Sequence, residues 1–316
     1  MHITEGIIRG WPAVAYTAAG VSLMAVGARK MKTFVQDNPE RKPLLGMGGA
    51  FIFFVSLIPI PAFTGTCSHP CGSPLAGILL GPWVGIALTG LSLLLQAAFF
   101  AHGGFSTWGA NLITLGIGGA FFGWLAYRVA LRAGCSIRAA AAAGGLVGDV
   151  MTYVLAGLSL GTVLSISPQP QYSWGGYLAA IYSAYLPTQG PIAIGEMFVT
   201  GLAIHYIFVR RPEVLESLGV ISRASKPVLA PLLLLAMALG AATPAQAGTF
   251  AGMDEAVNER IAEEAGATPR APYIDTESMG DLWNTLLLAA GGVSGFVIGR
   301  WWHLLFGGRD ERKTFS

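Results

Sequence analysis

The chain opens Met1-His2, and His69 stands in a polar loop, TGTCSHPCGSP, between two apolar segments. That combination can do metal chemistry. The α-amine of Met1, the backbone nitrogen of His2 and the His2 ring nitrogen Nδ1 can chelate one ion together. A fourth nitrogen from a distant imidazole, such as that of His69, would complete a square of nitrogen donors. Such a set suits Ni(II), Cu(II) or Co(II) far better than Mg or Ca. The competing reading is that His2 is merely the residue that follows the first methionine.

The neighbours of His69 allow more than one chemistry. Pro70 fixes the backbone after it, and Gly65 and Gly72 permit tight turns on either side. Cys67 and Cys71, spaced C-x3-C, could pack as small residues, close an external disulfide or act as thiolate ligands for softer metals. Ser68, His102, Asn111 and Glu196 are candidates for orienting the ligands through hydrogen bonds. His102, in AHGG, ends a long apolar segment, and the sequence favours a boundary role for it over a metal role. Asn111, in GAN, could hydrogen-bond a folded-back N-terminus. Glu196, like Asp149, is expensive in lipid and must face the interior of a helix bundle. His205 and His303 lie near segment ends and read as interface residues.

Composition says what must position these groups. Of 316 residues, 53% are hydrophobic and 11% charged, with a mean hydropathy of +0.58. A soluble domain carries about a quarter charged residues, so the chain reads as an all-α polytopic membrane protein. Apolar stretches near 11–28, 44–62, 75–100, 108–131, 139–165, 177–209, 227–243 and 282–306 are candidates to cross a hydrocarbon core of about 30 Å. The alternation of barrel strands is absent. A net charge of +2 without a basic cluster gives no sign of a nucleic-acid partner. No HExxH motif, nucleophile–base pair or Gly-rich phosphate loop is present, which argues against an enzyme or an ATPase.

Basic residues set the expected orientation. Arg29, Lys30, Lys32, Arg41 and Lys42 flank one connection; Arg128, Arg132 and Arg138 flank another; Arg210, Arg211, Arg223 and Lys226 flank a third. With these and the tail GGRDERK cytoplasmic, the N-terminus and the His69 loop share the external face. Three spans between the first two basic connections would break that pattern. Either an extra short or broken pass within 75–107 or a re-entrant segment there restores it, and Gly81-Pro82 and Gly103-Gly104, which bracket plausible breaks, favour the extra pass. Glu5 and Arg9 ahead of the first apolar run argue against a cleaved signal peptide, so Met1-His2 is expected to persist.

MHITEG at the start, TCSHPCGSPLAGILLGPW at 66–83, AHGGFSTWGAN at 101–111, GDVMTYV at 148–154 and LPTQGPIAIGE at 186–196 resemble the CbiM family over residues 1–210. The resemblance implies the substrate-binding membrane subunit of an energy-coupling-factor transporter, a helical bundle with its N-terminus tucked into an external metal pocket. It implies Met1, His2 and His69 as ligands, and transported Co2+ with Ni2+ second. Implied partners are a CbiQ-like coupling subunit and CbiO-like ATPases, within the lipid of the cytoplasmic (inner) membrane. Cys67 and Cys71 depart from the Ser and Thr usual in that family, which leaves the metal's identity open.

The remainder resembles CbiN, the small auxiliary subunit of the same transporters. SKPVLAPLLLLAMALGAATPAQA at 225–247 resembles a signal sequence lodged inside the chain; an acidic stretch follows, with Asp254, Glu255, Glu259, Glu263 and Glu264, then a last apolar span from Leu282. The expected order is a CbiM-like domain at 1–210, a cytoplasmic linker at 211–226, a CbiN-like domain of two additional transmembrane helices at 227–308 and a charged cytoplasmic tail at 309–316. A processing site after Ala247 is the competing reading of the A-x-A motif. The alternative function is a membrane metal-binding or assembly factor that uses Cys67 and Cys71 to deliver copper or another transition metal to a partner enzyme.

Overall fold

Backbone in lipid must close its hydrogen bonds internally, and the chain does so with helices. A computed structural model describes residues 2–37, 39–61, 67–100, 102–168 and 173–221. The chain divides into compact units at 1–256 and 257–316; the second unit and the CbiN-like domain lie outside the described residues. The described helices are α1 (Gly10–Asp37), α2 (Lys42–Ser56), α3 (Ser73–Leu80), α4 (Pro82–Phe100), α5 (Trp108–Leu112), α6 (Phe122–Arg132), α7 (Ile137–Gly161), α8 (Trp174–Arg210) and α9 (Pro212–Ser217). A nine-residue π-helical stretch, Ile113–Phe121, makes α5 and α6 one continuous rod. Among the described residues, five helical rods are long and apolar enough to cross a membrane. Their outward faces carry large apolar side chains such as Val14, Phe99, Phe198 and Leu202. An apolar exterior of this kind suits acyl chains.

Two expected spans are rebuilt by proline and glycine. The run 44–62 is helical only to Ser56, about 22 Å at 1.5 Å per residue, because Pro59 and Pro61 cannot donate to a continuing helix. Beyond it, Ile60–Pro61 and Cys67–Ser68 form a short antiparallel ladder, Ile60 opposite Ser68. The run 75–100 is split at Gly81, whose φ of +89° lies in the region open to glycine, and Pro82 starts α4. α4 then folds back along α3: a Cβ on Gly85 would stand 3.1 Å from Gly77 Cα. α3 itself is buried along nearly its whole length, as an all-round apolar helix should be.

The break leaves α3 eight residues long, about 12 Å, and α4 rather than α3 is among the five rods long enough to cross. At one end of the bundle Arg41 Nη1 donates to Ser217 O (2.9 Å) and Tyr127 Oη donates to Val220 O (3.2 Å). Basic connections distant in sequence therefore meet there. Within the stretch the sequence assigned to a linker, Pro212–Ser217 forms α9, and Leu215 and Val220 are buried in the same core. The opposite end gathers residues 2–8, the loop before α3 and the turn 102–107.

Candidate metal centre

The N-terminal arm reaches its place because α5 and the turn before it hold its backbone. Ile3 N–H donates to Asn111 Oδ1 (2.7 Å), Asn111 Nδ2 donates back to Ile3 O (2.9 Å), and Thr107 Oγ1 donates to the same carbonyl (2.8 Å). One turn outward, Ser106 N–H donates to Glu5 Oε2 (3.1 Å) and Gly6 N–H to Ser106 Oγ (3.2 Å). Ile3 and Ile8 are fully buried and anchor the arm through the hydrophobic effect. A Cβ on Gly104 would collide with Glu5, so only glycine lets the arm lie this close.

The arm delivers His2 to His69 and His102. Ring centroids are 5.0 Å apart for His2–His69, 4.4 Å for His2–His102 and 4.5 Å for His69–His102. One nitrogen from each ring lies within 4.8 Å of the others. An ion with metal–nitrogen bonds of about 2.0–2.1 Å keeps donors within about 4.2 Å of each other, so sub-ångström closure would bring the three onto one ion. His69 Nδ1 lies 3.0 Å from Ile58 O. In the neutral ring that nitrogen carries the proton and donates it to the carbonyl, which leaves the Nε2 lone pair for a ligand.

Both His2 ring nitrogens are sealed from solvent without a hydrogen-bond partner; Gln96 approaches the ring but without the geometry of a formed bond. Buried polar atoms are nearly always satisfied, so this pair of lone groups marks a place for something else. Burial, with the His69 and His102 rings alongside, holds the His2 imidazole well below the usual histidine range. Burial likewise pushes His69 down to about 2, with His102 a lesser contributor. Neutral imidazoles are the form that coordinates metal.

The remaining sequence candidates fall into two groups. Ser68 is buried and shares a hydrogen bond with Thr188 (3.2 Å), tying the loop to α8. Glu196 is buried and accepts from Gly72 N–H (3.1 Å), on the far side of His69. Cys71 is a free, fully buried thiol, while the Cys67 side chain and Met1 lie outside the described residues. His102, which the sequence placed at a boundary, has its ring against both other histidines. Gln96 went unnoticed. Its Nε2 donates to Phe53 O (2.9 Å) and Ser56 Oγ (2.8 Å), and its backbone carbonyl accepts from the His102 backbone N–H (3.3 Å). A lone glutamine inside an apolar segment was the available signal.

Fold and site define an α-helical polytopic membrane protein with buried imidazoles gathered beneath its N-terminal arm. The chain belongs to the CbiM family: residues 2–214 match the family described as the cobalt uptake substrate-specific transmembrane region. The cobalt transport protein CbiM of Geobacter sulfurreducens is 38% identical over 327 residues, covering 100% of this chain and 92% of that protein. The cobalt transport protein CbiM of Sorangium cellulosum is 35% identical over 226 residues, covering 71% of this chain and 98% of that one. A crystal structure of a transition metal transporter is similar with a TM-score of 0.60 at 25% identity, covering 70% of this chain and 100% of the other. A truncated transition metal transporter gives 0.58 at 27%, covering 66% and 99%.

Proposed function

We propose that this chain is the substrate-binding membrane subunit of an ATP-driven uptake transporter for Co(II), with Ni(II) accepted by the same donors. The α-amine of Met1, His2 and His69 hold the cargo, and His102 completes or orients the set. Partner subunits, a CbiQ-like coupling protein and CbiO-like ATPases, supply the energy. The observation that carries this reading is the convergence of the His2, His69 and His102 rings, with both buried nitrogens of His2 lacking a hydrogen-bond partner.

The physical sequence is short. A hydrated divalent ion arrives from outside and trades water for nitrogen donors. The imidazoles are already neutral, so they need shed no proton, whereas the amine, ordinarily near pKa 8, must. Ser106, Thr107 and Asn111 fix the arm, so the donors are positioned before the ion arrives. The C-terminal acidic stretch, with Asp254 and Glu255, attracts cations by its charge.

The test is Co(II) titration of purified full-length protein by calorimetry. Residues added ahead of Met1, or His2→Ala, should abolish high-affinity binding. Undiminished affinity in both would overturn the assignment.

A further inference from the structure

Two residues beyond His69, the same loop contributes to a second cluster. Cys71 Sγ, one carboxylate oxygen of Asp149 and one of Glu196 lie within 4.8 Å of each other, and all three residues are buried. Asp149 sits on α7 and Glu196 on α8. Gly145, one turn before Asp149, lets these helices touch: a Cβ there would stand 2.5 Å from Glu196 O.

Two carboxylates inside a membrane bundle repel each other and are costly to desolvate unless a proton or a positive charge shares them. Among the described residues no lysine or arginine does so. Among the described residues, the ion pairs are Arg41–Glu40 and Arg211–Glu213. Hydrogen bonds compensate only in part: Gly72 N–H reaches Glu196 Oε1, and Gln189 Nε2 donates to Asp149 Oδ2 (2.7 Å). Asp149 Oδ1 and Gln189 Oε1 remain, both buried and without a partner. The Cys71 thiol faces Asp149 but makes no geometrically formed bond to Oδ1. A sulfur, two carboxylates and an amide oxygen thus offer lone pairs to one small volume.

We infer that Cys71, Asp149 and Glu196, with Gln189 Oε1, form a second metal station that takes a divalent first-row transition ion. Thiolate among the donors selects such an ion over Mg or Ca, and the ligands release their protons as it binds. Residues 69 and 71 are at most about 7 Å apart along the chain, so an ion leaving the imidazoles has a short transfer to make. Neutral imidazoles leave the ion's charge uncompensated; the carboxylates and thiolate neutralise it deeper in the bundle. The direction of transfer rests on the uptake reading above, while the second site's existence does not.

Cobalt reports on this directly, because thiolate ligation gives a near-ultraviolet charge-transfer absorption that nitrogen and oxygen ligation do not. The chain has three cysteines; Cys67→Ser with Cys135→Ser leaves Cys71 as the sole thiol. Full-length protein of that kind, titrated with Co(II), should develop the band with a second equivalent of metal. Cys71→Ser should abolish it, and Asp149→Asn should weaken it at least about tenfold in cobalt concentration, with helical circular dichroism unchanged. His69→Ala should remove the first equivalent and keep the band. Folded protein that binds one His69-dependent equivalent and never shows the band refutes the second station and leaves the imidazole site standing. A band that survives Cys71→Ser also refutes it. A band without any His69-dependent binding supports the second station and refutes the imidazole reading instead.

Discussion

Asn111 is a single side chain that satisfies both backbone groups of Ile3, and leaving such buried groups unmet costs about 1–3 kcal/mol. Asn111→Ala should therefore release the N-terminal arm and weaken Co(II) binding by about tenfold or more at unchanged helix content, measured by calorimetry and circular dichroism. His102→Gln should lower affinity by about 10–100-fold, the usual cost of losing a group that supports or joins a metal site; an unchanged affinity would return His102 to a boundary role. The pH dependence of the metal-free protein follows from the depressed imidazoles. Below about 6.5, the ordinary histidine value, the unfolded chain binds protons that buried His2 and His69 refuse. Unfolded protein then holds more protons, so stability falls as pH drops from about 6.5 toward about 2. Thermal unfolding in detergent at stepped pH should show that decline, and His69→Gln should flatten it. The pairing of His2 with His69 was legible because a chelating terminus and a histidine-bearing polar loop are local signals. His102 and Gln96 were not, since only tertiary packing turns a helix end and a buried amide toward the same point.

At the scale of elements, the loop and helix boundaries do the positioning. Length and apolar composition sufficed to locate α1 and the rods ending at Arg132 and Arg210. They could not divide 75–100, because both halves are equally apolar and only Gly81-Pro82 marks the turn. The π-helical stretch Ile113–Phe121 had no sequence signature beyond its glycines. Its reason is packing: a Cβ on Gly118 would stand 2.8 Å from Thr152 N of α7, and Ser73 of α3 donates to Leu115 O (2.7 Å). Gly145 marks an equally close approach of α7 to α8. Gly145→Val should push those helices apart and lower the thermal midpoint by several degrees, consistent with overpacking costs of about 1–3 kcal/mol. A midpoint matching the parent protein would mean that the contact is looser than described.

For the molecule as a whole, the histidine end and the basic end are opposite, and the topology we propose from the positive-inside tendency has the basic end in the cytoplasm. In a cysteine-free background, Ser167→Cys should react with a membrane-impermeant maleimide from outside intact cells, and Arg211→Cys only after permeabilisation. The reverse pattern would invert the proposed topology. The C-terminal part was readable as two apolar spans around an acidic stretch, and its relation to the bundle lies outside the described residues.

The strip Cys67–Gly72 is fastened at several points: to Ile60–Pro61 by the ladder, to Thr188 through Ser68, to Ile58 through His69 and to Glu196 through Gly72. Its span is thereby fixed at both ends. Substitutions along it change one chemical group at a time, but inserting or deleting a single residue would throw His69 and Cys71 out of phase together. Natural variation here should consequently appear as exchanges of side chain rather than as changes of loop length.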